Sequence, residues 1–145
     1  MRAGQYLTFK LETSRYGVSI ESVREINRLT KIAKVPEAPH YVAGVINLRG
    51  KIISVIDLRK RLNMPEVEAT KETCIIVMET KGGQVGVIVD SVQAVVDLTS
   101  EQIDDSPLQD DKESFVRSIG KLDEELIMLI EIDQCLHADP LSQAA

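Results

Sequence analysis

Apolar and polar residues alternate along this chain in short runs. In Gln5-Tyr6-Leu7-Thr8-Phe9-Lys10-Leu11, the residues Leu7, Phe9 and Leu11 fall on every second position, the period of a half-buried strand. A second strand is predicted over Tyr16–Ile20 after a polar turn, and more extended chain from Val23 to Ile26. Pro36 and Pro39 punctuate the next stretch, because proline offers no backbone donor and pushes the residue before it out of the helical region. Val45–Leu48 and Lys51–Leu58 then flank Arg49-Gly50, a hairpin signal, since glycine supplies the freedom that a tight turn needs. Arg59 to Leu62 has room for one helical turn. Met64 to Thr73 is polar, holds Pro65 and shows no sustained period, so it separates two halves.

The second half repeats the first. A shift of 69 lays Tyr16–Ile26 over Val85–Val95, where Gly17, Val18, Ser22 and Val23 meet identical residues. A shift of 74 lays Tyr41-Val42 over Phe115-Val116 and Val45–Leu58 over Ile119–Ile132, with apolar positions matched nearly throughout. Two shifts in the same order, five residues apart, are the trace of a duplication with one loop insertion, for which the acidic stretch Asp104–Glu113 is the candidate. Chance likeness between β-rich sequences is the competing explanation. Each half holds about five strand-like segments in roughly 70 residues, a length at which a lone core is marginal, so the halves are expected to pack together. Short strands that close on themselves hide their edges, which favours two small barrels over open sheets.

Composition fits that picture. Of the 145 residues 43% are hydrophobic and only 3% aromatic, with no Trp, so Val, Ile and Leu must fill the core. A net charge of -6 argues against a nucleic-acid partner, which would call for a basic stripe. No apolar run approaches the ~20 residues that span a bilayer, and Met1–Gln5 lacks a signal-peptide stretch, so a cytoplasmic protein without membrane insertion is expected. Cys74 and Cys135 have no partner at ligand spacing and read as reduced, partly buried thiols.

Catalytic groupings do not emerge. His40 and His137 are the two histidines and sit beside predicted turns or helix ends. Gly82-Gly83 lies between two strand-like runs and reads as a hairpin turn, not a phosphate cradle. Asp104, Asp105, Asp110 and Asp111 lack the spacing of a calcium loop and read as a solvated charged loop. No enzyme, metal or cofactor is expected. The repeats themselves point elsewhere: where the second has Ala94, Lys121, Asp123 and Glu124, the first has Glu25, Asn47, Arg49 and Gly50. Residues that build the fold should survive in both copies, whereas residues that meet a partner can be confined to one. Glu25 and Arg49 are therefore binding-site candidates, able to meet as an ion pair, with two unrelated surface charges as the alternative.

The run Tyr41-Val42-Ala43-Gly44-Val45-Ile46-Asn47-Leu48-Arg49-Gly50, with Val23-Arg24-Glu25-Ile26 before it and Val55-Ile56-Asp57-Leu58-Arg59 behind it, resembles the CheW family. The likeness continues through Val89-Asp90-Ser91-Val92, Phe115-Val116 and Ile127–Leu136. It implies a mainly β fold: two intertwined five-stranded SH3-like β-barrels related by internal duplication, with short helices, one near the C-terminus. It implies one CheW-like domain over 1–145, with subdomains near 14–66 (plus part of the C-terminal segment) and 70–138, and room for strand exchange. It also implies a non-catalytic chemotaxis adaptor that couples chemoreceptors to the histidine kinase CheA. A pilus-motility or other chemosensory-like pathway is the alternative role, as is a competitor that uncouples receptors from the kinase.

By the same resemblance, Glu25 and Arg49 form a characteristic pair near the receptor-binding face. The cytoplasmic tip of a methyl-accepting chemoreceptor would dock in an apolar groove lined by Val23, Gly44 and Leu48 with Ile88 or Val92. The regulatory domain of CheA would meet Ile32 and Ile52, for which ordinary core packing is the alternative. The protein would be recruited from the cytoplasm to membrane-associated receptor arrays. Two positions depart from the family pattern: Ser118, where Gly or another small residue is usual, and Ser54, where Pro is common.

Overall fold

A computed structural model describes residues 1–105 and 115–137. Its strands are β1 (Gly4–Leu11), β2 (Ser14–Ser19), β3 (Val23–Arg28), β4 (Val42–Leu48), β5 (Lys51–Asp57), β6 (Cys74–Thr80), β7 (Gly83–Val89), β8 (Ser91–Leu98), β9 (Ile103–Asp104), β10 (Val116–Leu122) and β11 (Glu125–Ile130). Helix α1 (Leu58–Arg61) follows β5 and helix α2 (Ile132–His137) follows β11, with 3-10 turns at Ile20–Ser22 and Ser100–Gln102. Asp57 starts α1 by accepting the Lys60 N–H at 3.4 Å, the usual role of an aspartate at a helix N-cap. Lys81-Gly82 turns the β6–β7 hairpin, with Thr80 facing Gly83. Most of the expected insertion, including Asp110 and Asp111, and the tail from Asp139 lie outside the described residues.

The strands form a six-stranded sheet, β8-β1-β2-β11-β10-β9, and a five-stranded sheet, β3-β6-β7-β5-β4. The shifts of 69 and 74 map one order onto the other. The registers agree as well: β11 runs parallel to β2 with Met128 beside Tyr16 and Leu129 beside Gly17, and β5 runs parallel to β7 with Ser54 beside Val85 and Val55 beside Gly86. The glycine that recurs at this junction has a steric reason, since a Cβ on Gly86 would lie 2.8 Å from Ile75 Cγ2. Sheet membership crosses the 64–73 stretch. The six-stranded sheet takes β1 and β2 from the first half, and the five-stranded sheet takes β6 and β7 from the second.

The fold is mainly β in two units, as expected, but neither ladder is a closed five-stranded ring. One sheet has six strands, and in both the last side is spanned by chain instead of a full ladder. After β8, the turn at Ser100–Gln102 brings the chain back as the two-residue β9, against β10 on the far edge. After β3, Ala33 alone bridges to Val45 of β4, with N–H···O distances of 2.9 and 2.8 Å. Such short contacts curl each sheet without completing it.

Curling makes three apolar compartments. Between the sheets lies the main core, which includes Leu7, Phe9, Leu11, Tyr16, Val18, Ile76, Met78 and Val87, with Phe9 stacked on Tyr16 at 6.0 Å. Ile46, Ile53, Val55, Ile75 and Val77 fill the inside of the five-stranded sheet, and Tyr6, Leu98, Ile127 and Leu129 that of the six-stranded one. Successive side chains of a strand point to opposite faces, so β6 and β1 each serve two compartments and are buried on both sides.

Candidate functional site

Leu48 pairs with Lys51, leaving Arg49 (φ 52°) and Gly50 (φ 87°) as the two residues of the β4–β5 turn. Two consecutive positive φ values define the hairpin turn whose twist matches that of the strands. Asn47 holds it by accepting the Gly50 N–H on Oδ1 at 2.8 Å. Glu25 lies on β3, at the opposite edge of the same sheet, after a bulge between Val23 and Glu25. The curl brings the edges together, and Arg49 grips Glu25 with both arms: Nη2 to Oε2 at 2.5 Å and Nη1 to Oε1 at 3.2 Å. Asn27, two residues along β3, donates Nδ2–H to Oε1 at 2.8 Å.

The Arg49 guanidinium, and then Asn27, hold the Glu25 carboxyl below the usual carboxylate range, while Glu25 raises Arg49 in turn. Arg49 remains 71% exposed and Glu25 29% exposed, so the pair is an oriented charge arrangement at the surface and no buried brace. The second repeat has no such pair: Asp123 (φ 55°) takes the Arg49 position in the β10–β11 turn, and Ala94 replaces Glu25. There the backbone of Ala94 is bound instead, its N–H donating to Thr8 Oγ1 and its carbonyl accepting from it.

The remaining candidates divide. Val23 and Val92, equivalent in the repeats, are half-buried against the core between the sheets. Ile32, Leu48 and Ile88 pack on the cluster inside the five-stranded sheet, and Ile32 and Ile88 share one recess of about 170 Å3. Ile52 is 64% exposed. Gly44 offers no surface of its own: it is buried at φ 147°, and a Cβ there would sit 2.1 Å from the Ala33 carbonyl oxygen. Its role is to admit the Ala33 bridge. Ser118, its equivalent, is buried and donates its hydroxyl to Asp105.

Three features escaped the pattern of the sequence. Ile26 is 45% exposed on the outer face of β3, an apolar residue between the exposed Arg24 and Arg28. Asn27 and Asn47 support the charge pair. Arg59 and Asp90 form a second bidentate pair, Nε to Oδ1 at 2.8 Å and Nη2 to Oδ2 at 2.5 Å, that ties the two halves together. Arg59 also donates to the Pro65 carbonyl at 2.9 Å and lies 3.5 Å from Glu12, whose own N–H binds Asp90. Both residues stood in recognisable motifs, but their partnership depends on the exchange of strands.

Reactive chemistry is muted. Burial pushes the Cys135 thiol up to about 12 and raises Cys74 as well, so neither is a ready thiolate. Among the described residues, no group of three or more His, Cys, Asp or Glu side chains is placed to hold a metal ion. No described helix is long and apolar enough to cross a membrane.

Comparison with known proteins agrees with the fold. The CheW-like domain family matches residues 5–139. The chain is 36% identical over 141 residues to the chemotaxis protein CheW of Bacillus subtilis (strain 168), covering 96% of this chain and 90% of that one. It is 36% identical over 143 residues to a probable chemotaxis protein CheW of Rhizobium etli, covering 97% and 92%. The crystal structure of the scaffolding protein TtCheW from Thermoanaerobacter tengcongensis superposes with a TM-score of 0.84 at 35% identity, over 92% of each chain. In sequence across nearly its whole length, and in fold, the chain belongs to the CheW family.

Proposed function

We propose that this protein is a non-catalytic adaptor that couples chemoreceptors to the histidine kinase CheA in cytoplasmic signalling arrays. The observation that carries this reading is the Glu25–Arg49 pair: two-armed, exposed and confined to one of two otherwise equivalent repeats. The Arg59–Asp90 brace also occurs once, but Arg59 is buried, whereas Arg49 stands at the surface where a partner can meet it. Its relatives are chemotaxis proteins, and one is described as a scaffolding protein. In this reading the receptor tip lies along Val23, Leu48, Ile88 and Val92, with Gly44 shaping the face through Ala33. The regulatory domain of the kinase packs on the exposed Ile52 and beside Ile32.

Calorimetric titration against a receptor-tip helical hairpin and against the CheA regulatory domain tests the proposal. Glu25→Arg and Arg49→Glu are each expected to weaken binding by about tenfold without a loss of melting temperature. The double exchange should restore binding, because it rebuilds the pair with its polarity reversed. Normal binding by both single variants would refute the assignment of the site.

A further inference from the structure

The recess shared by Ile32 and Ile88 is covered by the chain that joins the two halves. Leu29, Ile32 and Ile88 supply its apolar floor, and the exposed residues Val67, Glu68 and Ala69 its outer wall. At about 170 Å3 it falls below the ~300–1,000 Å3 of ordinary ligand pockets, so it has room for one apolar side chain of a polypeptide and little else. Ile32 and Ile88 pack on the cluster inside the five-stranded sheet, so the floor is held from beneath.

The covering segment is tied at both ends and free between them. At one end the Met64 N–H donates to the Arg59 carbonyl at 2.8 Å, and Arg59 Nη1 donates to the Pro65 carbonyl at 2.9 Å. At the other, Thr70 and Thr73 close a turn: the Thr70 N–H donates to Thr73 Oγ1 at 2.9 Å, and the Thr73 N–H to the Thr70 carbonyl at 3.3 Å. Glu66 reaches Lys60 at 3.5 Å, an ion pair open to water and therefore weak. Val67, Glu68 and Ala69 make no hydrogen bond among the described residues. Val67 is 54% exposed and belongs to none of the three apolar compartments. A segment with fixed ends and so few contacts in its middle opens at little cost.

We propose that residues 66–69 are a displaceable strap: Val67 occupies the seat of an apolar side chain from the receptor-tip helix, and that side chain replaces it on binding. The inference rests on the receptor face proposed above, to which Ile88 belongs. A helix presents single protruding side chains, the shape that this recess admits, whereas the kinase domain meets the exposed Ile52 outside it. The closed strap lowers the apparent affinity for the receptor by the fraction of molecules in which it stands open.

The test is a calorimetric titration of the full chain with the receptor-tip hairpin, in the native form and as Val67→Ser and Val67→Leu. V67S, whose strap holds the recess less well, should bind about fivefold more tightly, and V67L, with a larger apolar plug, about threefold more weakly. Both should keep the native melting temperature. The direction separates a strap from a simple contact: were Val67 part of the docking surface, V67S would bind more weakly and V67L at least as well as the native chain. In methyl NMR spectra of the isotope-labelled full chain, the hairpin should move the Val67 resonances towards those of a solvated valine and shift Ile88 saturably. Equal affinity of the three proteins, the opposite order, or Val67 resonances unmoved by bound hairpin would overturn the proposal. A gain by V67S seen only with the CheA regulatory domain would overturn the choice of partner. A native chain that does not bind the hairpin at all would instead refute the receptor face itself, and the strap's role with it.

Discussion

Arg59 and Asp90 show how much one pair of side chains can decide. Arg59 is 9% exposed and Asp90 28%, so their charges sit largely out of water and depend on each other. Asp90→Asn leaves Arg59 with the more distant Glu12 as its counter-ion, at 3.5 Å, and weakens a charge-assisted two-armed hydrogen bond. It is therefore expected to lower unfolding free energy by about 1.5–3 kcal/mol in urea titrations. The pH dependence has a definite sign. Hydrogen bonding from Arg59 holds the Asp90 carboxyl below its ordinary value of 3.8, so its stabilisation is full above that value and fades as pH falls through the lower, folded-state one. Stability of the native protein should decline below about pH 4, and D90N should show a shallower decline. A variant with the same acid slope as the native protein would remove Asp90 from the account.

At the scale of the element, the β4–β5 hairpin was legible in advance, because Arg49-Gly50 between two apolar runs carries its own turn chemistry. So were β1, with its alternating Leu7, Phe9 and Leu11, and the one-turn helix after β5, whose capping Asp57 precedes it. Gly44 was not. The family resemblance implies a groove-lining position, yet its constraint comes from Ala33, which reaches it only when the sheet curls. Gly44→Ala would force a methyl into the Ala33 backbone at a φ that L side chains rarely adopt. We expect a loss of about 2–4 kcal/mol, measured by denaturant unfolding. Gly50→Ala, where nothing lies within 4 Å of the new Cβ, should cost only the ~1 kcal/mol of backbone strain. Equal losses at the two positions would contradict the close-approach explanation.

Over the whole molecule, the duplication could be read from two shifts in register, but the assignment of strands to sheets could not. The repeats are contiguous in sequence, whereas each sheet combines strands of both, since β1 and β2 pair across to β8 and β11. Long-range pairing of this kind leaves no local trace in hydrophobic period. It has a consequence for the chain cut within 64–73: neither half should fold alone, and mixing the two should regenerate the β signal in circular dichroism. The proposed coupling role belongs to the same scale, because it asks one small protein to hold two partners at once, although the candidate residues Ile88 and Ile32 meet in one recess. Sedimentation velocity on a mixture of this protein, a receptor-tip hairpin and the CheA regulatory domain tests that most directly. A single boundary containing all three components, lost when Glu25→Arg replaces the native chain, is the expected result; separate boundaries, or mutually exclusive binding of the two partners, would contradict the coupling role.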